Sequence, residues 1–415
     1  MTASNLYIVS NIPGFKECVN EEAQTSLKVS KVEYTAKNNQ FYKVIRYDKS
    51  VLTHDMGSIT GICRSIIVNS ANKVVSFAPP KCIKTDYFIS KYQEPIADSL
   101  VAEEFVEGTM MNVFWDETAG LDGAWEIATR NSVGGDISID KTSNTTRFRK
   151  LFIEALKQSN LELSSLERRY CYSFVLQHPE NKIVVPVVKP QLYLIEVYEI
   201  VNTEDFTTNV FPLEKNITEK MKEFQGTSIR FPKRYTGWKT LDDLKDKYAS
   251  MNTPYDIMGV VIRDPNTNER CKLRNPNYEF CKNIKGVEAK RQYQYLFLKK
   301  EGKMKAFLEE MPAYRRDFSK FRKNVHDFTK QLYSNYISCY IKKELHGSEY
   351  PVEYRQHMFE LHKQYTAVLK PKGEYINFKV VIDYVNNLDP GKLFYTLSAP
   401  MRKRRENIST QEKSE

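Results

Sequence analysis

The chain has 415 residues, of which 41% are hydrophobic and 27% charged, and its formal net charge is +10. That length buries a sizeable core and fits two domains of roughly 100 to 200 residues. No apolar run approaches the roughly 20 residues that span a bilayer, and the start MTASNLYIVSNIPGFKE lacks the basic-then-apolar pattern of a secretion signal, so the expectation is an intracellular chain with no membrane partner.

Asn5 to Ile12 and Gln40 to Asp48 are rich in β-branched and aromatic residues and predict strands. Gly61 to Val68 and Lys73 to Phe77 predict a hairpin across Asn69 to Asn72, with Arg64 as a lone charge in an apolar run and Lys81 following Pro79-Pro80. A short helix is expected near Tyr87 to Tyr92. Next comes Glu103 to Asp116, EEFVEGTMMNVFWD, in which two β-runs flank a Glu-Gly-Thr turn. Ala124 to Ser132 reads as another strand, ended by Gly134-Gly135. Thr145 is the expected N-cap of a helix from Thr146 to Gln158 whose stripe Phe148, Leu151, Phe152, Ala155 and Leu156 faces the core.

Strands are expected again at Tyr170 to Leu176, Ile183 to Val188 and Leu192 to Ile200, and helices at Leu213 to Phe224 and Leu241 to Met251. Ile257 to Asp264 and Glu269 to Arg274 form a hairpin across Pro265 to Asn268. Strands with interspersed helices that do not strictly alternate make residues 1–280 an α+β domain. Beyond Cys281 the pattern changes to long charged helices, Gly286 to Glu310, Pro312 to Glu344, Pro351 to Leu369 and Asn377 to Asn387, which predict an all-α domain over 281–400. Residues 401–415, with Arg402-Lys403-Arg404-Arg405, read as a disordered basic and polar tail.

Charge follows the same division. From residue 281 to the end 27 Lys and Arg stand against 16 Asp and Glu, a surplus of 11, whereas residues 1–280 hold 35 against 36. A basic module joined to a neutral one suggests a polyanion at the helical part and a pocket in the other; a solvated helical surface is the plainer alternative. Tyr293, Tyr295, Phe307, Tyr314, Phe318, Phe321 and Phe328 interleave with Lys and Arg as base-stacking platforms would, and equally as buried helix faces would. The seven cysteines are scattered without CxxC spacing, which predicts free thiols, and His357 and His362, five apart, lie on different helix faces and make a poor metal pair.

Five segments, in order over residues 60–280, carry a resemblance: CRSII (Cys63 to Ile67), Phe-Val-Glu-Gly-Thr (Phe105 to Thr109), TRNSVGG (Thr129 to Gly135), FVLQHPENKIV (Phe174 to Val184), and GVVIRD with KLRNPNY (Gly259 to Asp264, Lys272 to Tyr278). The ordered set resembles the ATP-dependent RNA ligases of the phage T4 tRNA-repair type, and especially their divergent relatives in large DNA viruses. The resemblance implies a nucleotidyltransferase domain of the covalent-ligase, ATP-grasp-like kind. It also implies ATP and Mg²⁺ as cofactors, RNA as partner, a role in RNA repair, and the cytoplasm, a viral factory or the nucleus as location.

In that family a lysine amine attacks the α-phosphate of ATP, and it must be deprotonated to do so. Carried over residue by residue, Arg64, Lys81, Glu107, Gly108, Arg130, Lys272 and Arg274 fall at nucleotide- or phosphate-binding positions. The catalytic positions differ: the nucleophile position is Phe105, and two glutamate positions are Val175 and Met258. Three matched apolar replacements under a retained cationic rim imply an anion-binding cleft without metal ligands, hence a pseudoenzyme that binds RNA or nucleotide. The alternatives are an active ligase, or sealer of pre-adenylylated RNA ends, with its nucleophile elsewhere, and a viral structural or interaction protein that uses the fold as a scaffold.

Overall fold

The computed structural model describes residues 7–399 apart from 21–26, 35–39, 49–58, 93–95, 139–145, 204–206 and 285–286. The described chain is mixed helix and sheet, as expected, and divides into two compact units, Met1–Glu279 and Phe280–Glu415. The basic tail from 401 onward and the expected N-cap Thr145 lie outside the described residues.

The strands of the first unit are β1 (Tyr7–Ile8), β2 (Leu27–Tyr34), β3 (Gln40–Tyr47), β4 (Ile66–Val68), β5 (Val74–Phe77), β6 (Val101–Glu104), β7 (Thr109–Asp116), β8 (Ala124–Thr129), β9 (Tyr170–Gln177), β10 (Gln191–Asn202), β11 (Thr208–Pro212), β12 (Arg234–Tyr235), β13 (Gly259–Arg263) and β14 (Arg270–Arg274). They form three antiparallel sheets in the orders β1-β11-β10-β9-β7-β8, β12-β6-β13-β14 and β2-β3-β4-β5. The six-stranded sheet buries Met111, Val113, Tyr172, Phe174 and Leu194 against the helix Phe148–Gln158, which contributes Leu151, Phe152, Ala155 and Leu156. Its apolar residues recur at helical spacing, so one face is hidden from water while Arg149, Lys150 and Lys157 face out or sideways.

Between the sheets lies a buried ion network. Arg263 of β13 donates to Glu103 of β6 at 2.8 Å and approaches Glu196 of β10 at 3.5 Å, and Lys215 stands 3.8 Å from Glu196. Burial alone pushes the Glu103 carboxyl upward, but Lys215 and Arg263 outweigh it and hold the group below the usual carboxylate range. The network ties a strand of the four-stranded β6 sheet to the centre of the six-stranded one.

Several expected elements differ. Ile183 to Val188 forms no strand; the backbone amides of Val184 and Val185 are taken by the Glu107 carboxylate instead of by a ladder. Gly61 and Ile62 close a 3-10 turn from Thr60, Cys63 to Ser65 are irregular, and only Ile66–Val68 pairs. The expected helix Leu213 to Phe224 breaks into Lys215–Thr218 and a 3-10 turn at Lys222–Phe224. Strands β2 and β11 and helices Pro276–Asn283 and Pro390–Leu397 had no expectation attached to them.

The second unit is helical throughout its described residues, with Val287–Lys300, Met304–Glu310, Arg315–Tyr336, Val352–Gln364, Phe378–Asn387 and Pro390–Leu397 as its α-helices. Tyr293, Tyr295, Phe318, Phe321 and Phe328 are buried, Phe307 stacks on Phe318 and Tyr314 meets it edge-on, so these aromatics form helix-facing core. His357 is buried between the Tyr384 hydroxyl at 2.8 Å and the Thr396 hydroxyl at 3.0 Å. The helix Arg315–Tyr336 runs on into a π-helical turn at Ile337–Lys342, a second one follows at Tyr365–Leu369, and His362 stacks on Tyr340 between them at 4.0 Å. All seven cysteines are free. No helix among the described residues is long and apolar enough to cross a membrane.

Candidate phosphate-binding cleft

The Phe105 to Gly108 turn carries the chain from β6 in one sheet to β7 in another. It is held at both ends and in the middle. The Phe105 amide donates to the Gly259 carbonyl at 3.3 Å, and the Glu107 carbonyl accepts from Gln177 Nε2 at 2.7 Å. The Glu107 carboxylate accepts from the Val184 and Val185 amides at 3.2 and 3.1 Å. Gly108 has φ +148°, and a Cβ there would fall 2.5 Å from both the Leu176 carbonyl oxygen and Val175 Cγ1. Only glycine fits this crossing without strain.

Strand β14 supplies the cations. Its sequence RCKLR alternates, so Cys271 and Leu273 enter an apolar cluster with Ala102, Val260 and Ile262, while Arg270, Lys272 and Arg274 share the other face. Lys272 Nζ sits 3.9 Å from the centroid of the Phe105 ring, and Arg274 Cζ lies 5.6 Å from it. The ring that replaces the expected nucleophile is thus a cation–π platform for two basic side chains.

The other cations reach the same region from separate elements. Arg64 precedes β4, and Arg130 follows β8 with its guanidinium 5.3 Å from the Tyr47 ring. Burial lowers the Arg64 guanidinium's affinity for its proton, and the nearby charges of Arg270 and Arg130 lower it further. Lys272 is pushed down to about 8, by burial first and then by Arg270, Arg64 and Arg274, with the Cys82 thiol pulling the other way. Arg46, whose Nη1 donates to Asn131 Oδ1 at 2.5 Å, feels Arg130 in the same way. Arg130 Nε is buried with no hydrogen-bond partner.

Of the residues expected from sequence, then, Arg64, Arg130, Lys272, Arg274 and Phe105 share one electrostatic neighbourhood. Gly108 shapes the turn beneath it. The Glu107 carboxylate is engaged with backbone amides, which makes it a clip for the turn. Lys81 is half-buried with its amide on the Gly61 carbonyl, and its ammonium makes no ion pair among the described residues. Val175 lies in a small apolar cluster with Val106 and Tyr193, and half-buried Met258 accepts the Asn275 amide at 3.2 Å. Arg46, Arg270, Tyr47 and Cys82 had not been expected. Arg270 was readable from the alternation of RCKLR; Tyr47 and Cys82 depend on tertiary approach.

The charge in the cleft is one-sided. Arg274 pairs with Glu279 at 2.6 Å, but Arg64, Arg130, Arg270 and Lys272 make no ion pair with a carboxylate among the described residues. Nor do the described residues include a group of three or more His, Cys, Asp or Glu side chains arranged to hold a metal ion. The Mg²⁺ that the family resemblance implies therefore finds no carboxylate pair at the Val175 and Met258 positions. Such a surface attracts multiply charged anions, and its guanidinium groups suit phosphate oxygens in particular.

Comparison with known proteins agrees with the resemblance in sequence. The chain is similar to an RNA ligase of Rhodothermus phage RM378, 25% identical over an alignment of 279 residues that covers 61% of each protein. It spans about three fifths of that relative's length. No protein-family model matches. Among solved structures it overlaps a Naegleria gruberi RNA ligase variant with ATP and Mn at a TM-score of 0.31 and 12% identity, over 49% of this chain and 57% of that one. A second variant of that ligase, also with ATP and Mn, overlaps at 0.28 and 12% over 60% and 76%.

Proposed function

We propose that this chain is an RNA-ligase-like nucleotidyltransferase-fold protein that binds the phosphates of RNA or nucleotide in the cleft around Phe105 and lacks the lysine-adenylate chemistry of its relatives. The observation that carries the reading is the Phe105 ring beneath Lys272 and Arg274, at the position from which a ligase lysine would attack. A phenyl ring has no lone pair to form a bond to phosphorus, and the Val175 and Met258 side chains have no oxygen to orient ribose or metal. The cations remain, and they retain the means to hold an anion. In this reading the basic helical unit, with its surplus of positive charge, meets the RNA backbone.

One observation favours an active enzyme as the second reading. Lys272 is an amine pushed down to about 8, so a share of it is neutral near neutral pH. Incubation with labelled ATP and Mg²⁺, followed by mass spectrometry, separates the two. The pseudoenzyme reading expects no covalent adenylate, and no sealing when pre-adenylylated RNA and an acceptor are supplied. An adenylate mapped to Lys272 would replace it with the second reading.

A further inference from the structure

We infer that the cleft takes the phosphate chain of a nucleotide as the free anion, with no divalent metal, and that Mg²⁺ competes with binding instead of assisting it. This rests on the phosphate-binding reading above and goes beyond it in naming the charged species bound.

The argument begins with the carboxylates, because a hard divalent cation needs oxygen ligands. Those near the cleft are all engaged. Glu103 faces inward and is bonded to Arg263, Glu107 is held by the Val184 and Val185 amides, and Glu279 is paired with Arg274. The two positions where the family resemblance implies glutamate are a buried valine and a half-buried methionine. Conversion of both to apolar side chains removes the ligands and leaves no room for an unpaired charge.

The cations supply the second half. Arg64, Arg130 and the β14 pair Arg270 and Lys272 come from three segments of the chain and make no ion pair with a carboxylate among the described residues. Arg64 and Lys272 each hold their protons less tightly, chiefly because they are buried and further because of repulsion by the other cations. A free polyphosphate relieves that repulsion fully. The same polyphosphate chelated by Mg²⁺ carries less negative charge and brings a cation into a positive field. In ligases the metal offsets phosphate charge; here side chains do so, with the buried Arg130 Nε as a donor still to be satisfied.

The test is isothermal titration calorimetry on the full chain, with ATP and separately with inorganic tripolyphosphate, in EDTA and in excess Mg²⁺. Both ligands are expected to bind in EDTA, and excess Mg²⁺ is expected to weaken binding by roughly tenfold or more, as mass action on the free anion requires. Arg64→Gln, checked by circular dichroism to be folded, should weaken binding in EDTA. Binding that needs Mg²⁺ or Mn²⁺ overturns the inference and leaves the phosphate-binding reading standing. Unchanged affinity in folded Arg64→Gln overturns it too, and absence of binding in every condition overturns both.

Discussion

If the proposed phosphate site is right, Lys272 should make anion binding depend on pH in a window where an ordinary lysine would be silent. In the free protein its amine titrates at about 8, against an unperturbed value near 10.4. An anion seated beside it favours the charged form and raises that value. Affinity should therefore be full below about pH 8 and fall as pH rises through it, by up to tenfold per pH unit for one linked proton. If the bound anion restores the ordinary lysine value, the loss saturates after about 2.4 units, on the order of 3 kcal/mol. The affinity of a phosphate monoester such as AMP, whose second ionisation at about 6 is nearly complete by then, measured by calorimetry from about pH 7.5 upward would trace the fall. Repeating the titration in buffers of different ionisation enthalpy would count the proton taken up. Lys272→Arg keeps the charge without the titration, so its affinity should be flat across the same window. A flat profile in the unmodified protein, or an identical fall in Lys272→Arg, would refute the assignment.

Phe105→Lys alone should give no adenylate with ATP and Mg²⁺, because Val175 and Met258 still lack carboxylates and the new amine meets Lys272; adenylate detected by mass spectrometry would overturn the account of the cleft. Arg263→Met should cost about 3 to 5 kcal/mol in urea unfolding of the first unit, since Glu103 and Glu196 lose their hydrogen-bonded cation and keep only Lys215 for two carboxylates, and a loss under about 1 kcal/mol would show the network to be dispensable. His357 is pushed down to about 4, chiefly by burial, so the unfolded chain binds more protons between about pH 6.5 and 4; stability of the helical unit should drop across that range by on the order of 3 kcal/mol. His357→Gln should flatten the dependence, and an unchanged slope in that variant would place its cause elsewhere. Gly108→Ala should destabilise the first unit measurably by thermal melting, because the new methyl has no room beside Val175 and Leu176.

What the sequence revealed and what it hid follow one physical line. Periodic signals survived folding: the Phe148–Gln158 stripe, the β13–β14 hairpin and the aromatic faces of the long helices all sit where their spacing placed them, because burial of one face decides both the pattern and the element. The Ile183 to Val188 run did not. Its β-branched residues have strand propensity, but a carboxylate 77 residues away claims its amides, and such long-range bonding leaves no local trace. The cationic cleft was partly legible for the same reason. Arg64, Arg130 and Lys272 lie in recognisable segments, whereas Arg46 joins them through the Arg46–Asn131 contact, 85 residues apart in sequence.

The Phe105 substitution is most informative for what surrounds it. In the proposed reading, a missing lysine alone would leave two buried glutamates with an uncompensated cost, and Val175 and Met258 at those positions carry no such cost. The ring then acquires a role of its own. Lys272 is drawn out of water with no carboxylate to stabilise it, and the face of Phe105 at 3.9 Å returns part of the lost solvation through its quadrupole. Arg274 shares the ring and is paired with Glu279 at 2.6 Å. Phe105→Ala should accordingly leave the turn intact, since its bonds to Gly259, Gln177 and the Val184–Val185 amides are independent of the ring, while Lys272 and Arg274 lose their platform and anion affinity falls. If that variant bound phosphate as tightly as the unmodified chain, the ring would be a space-filler and the cations alone would make the site.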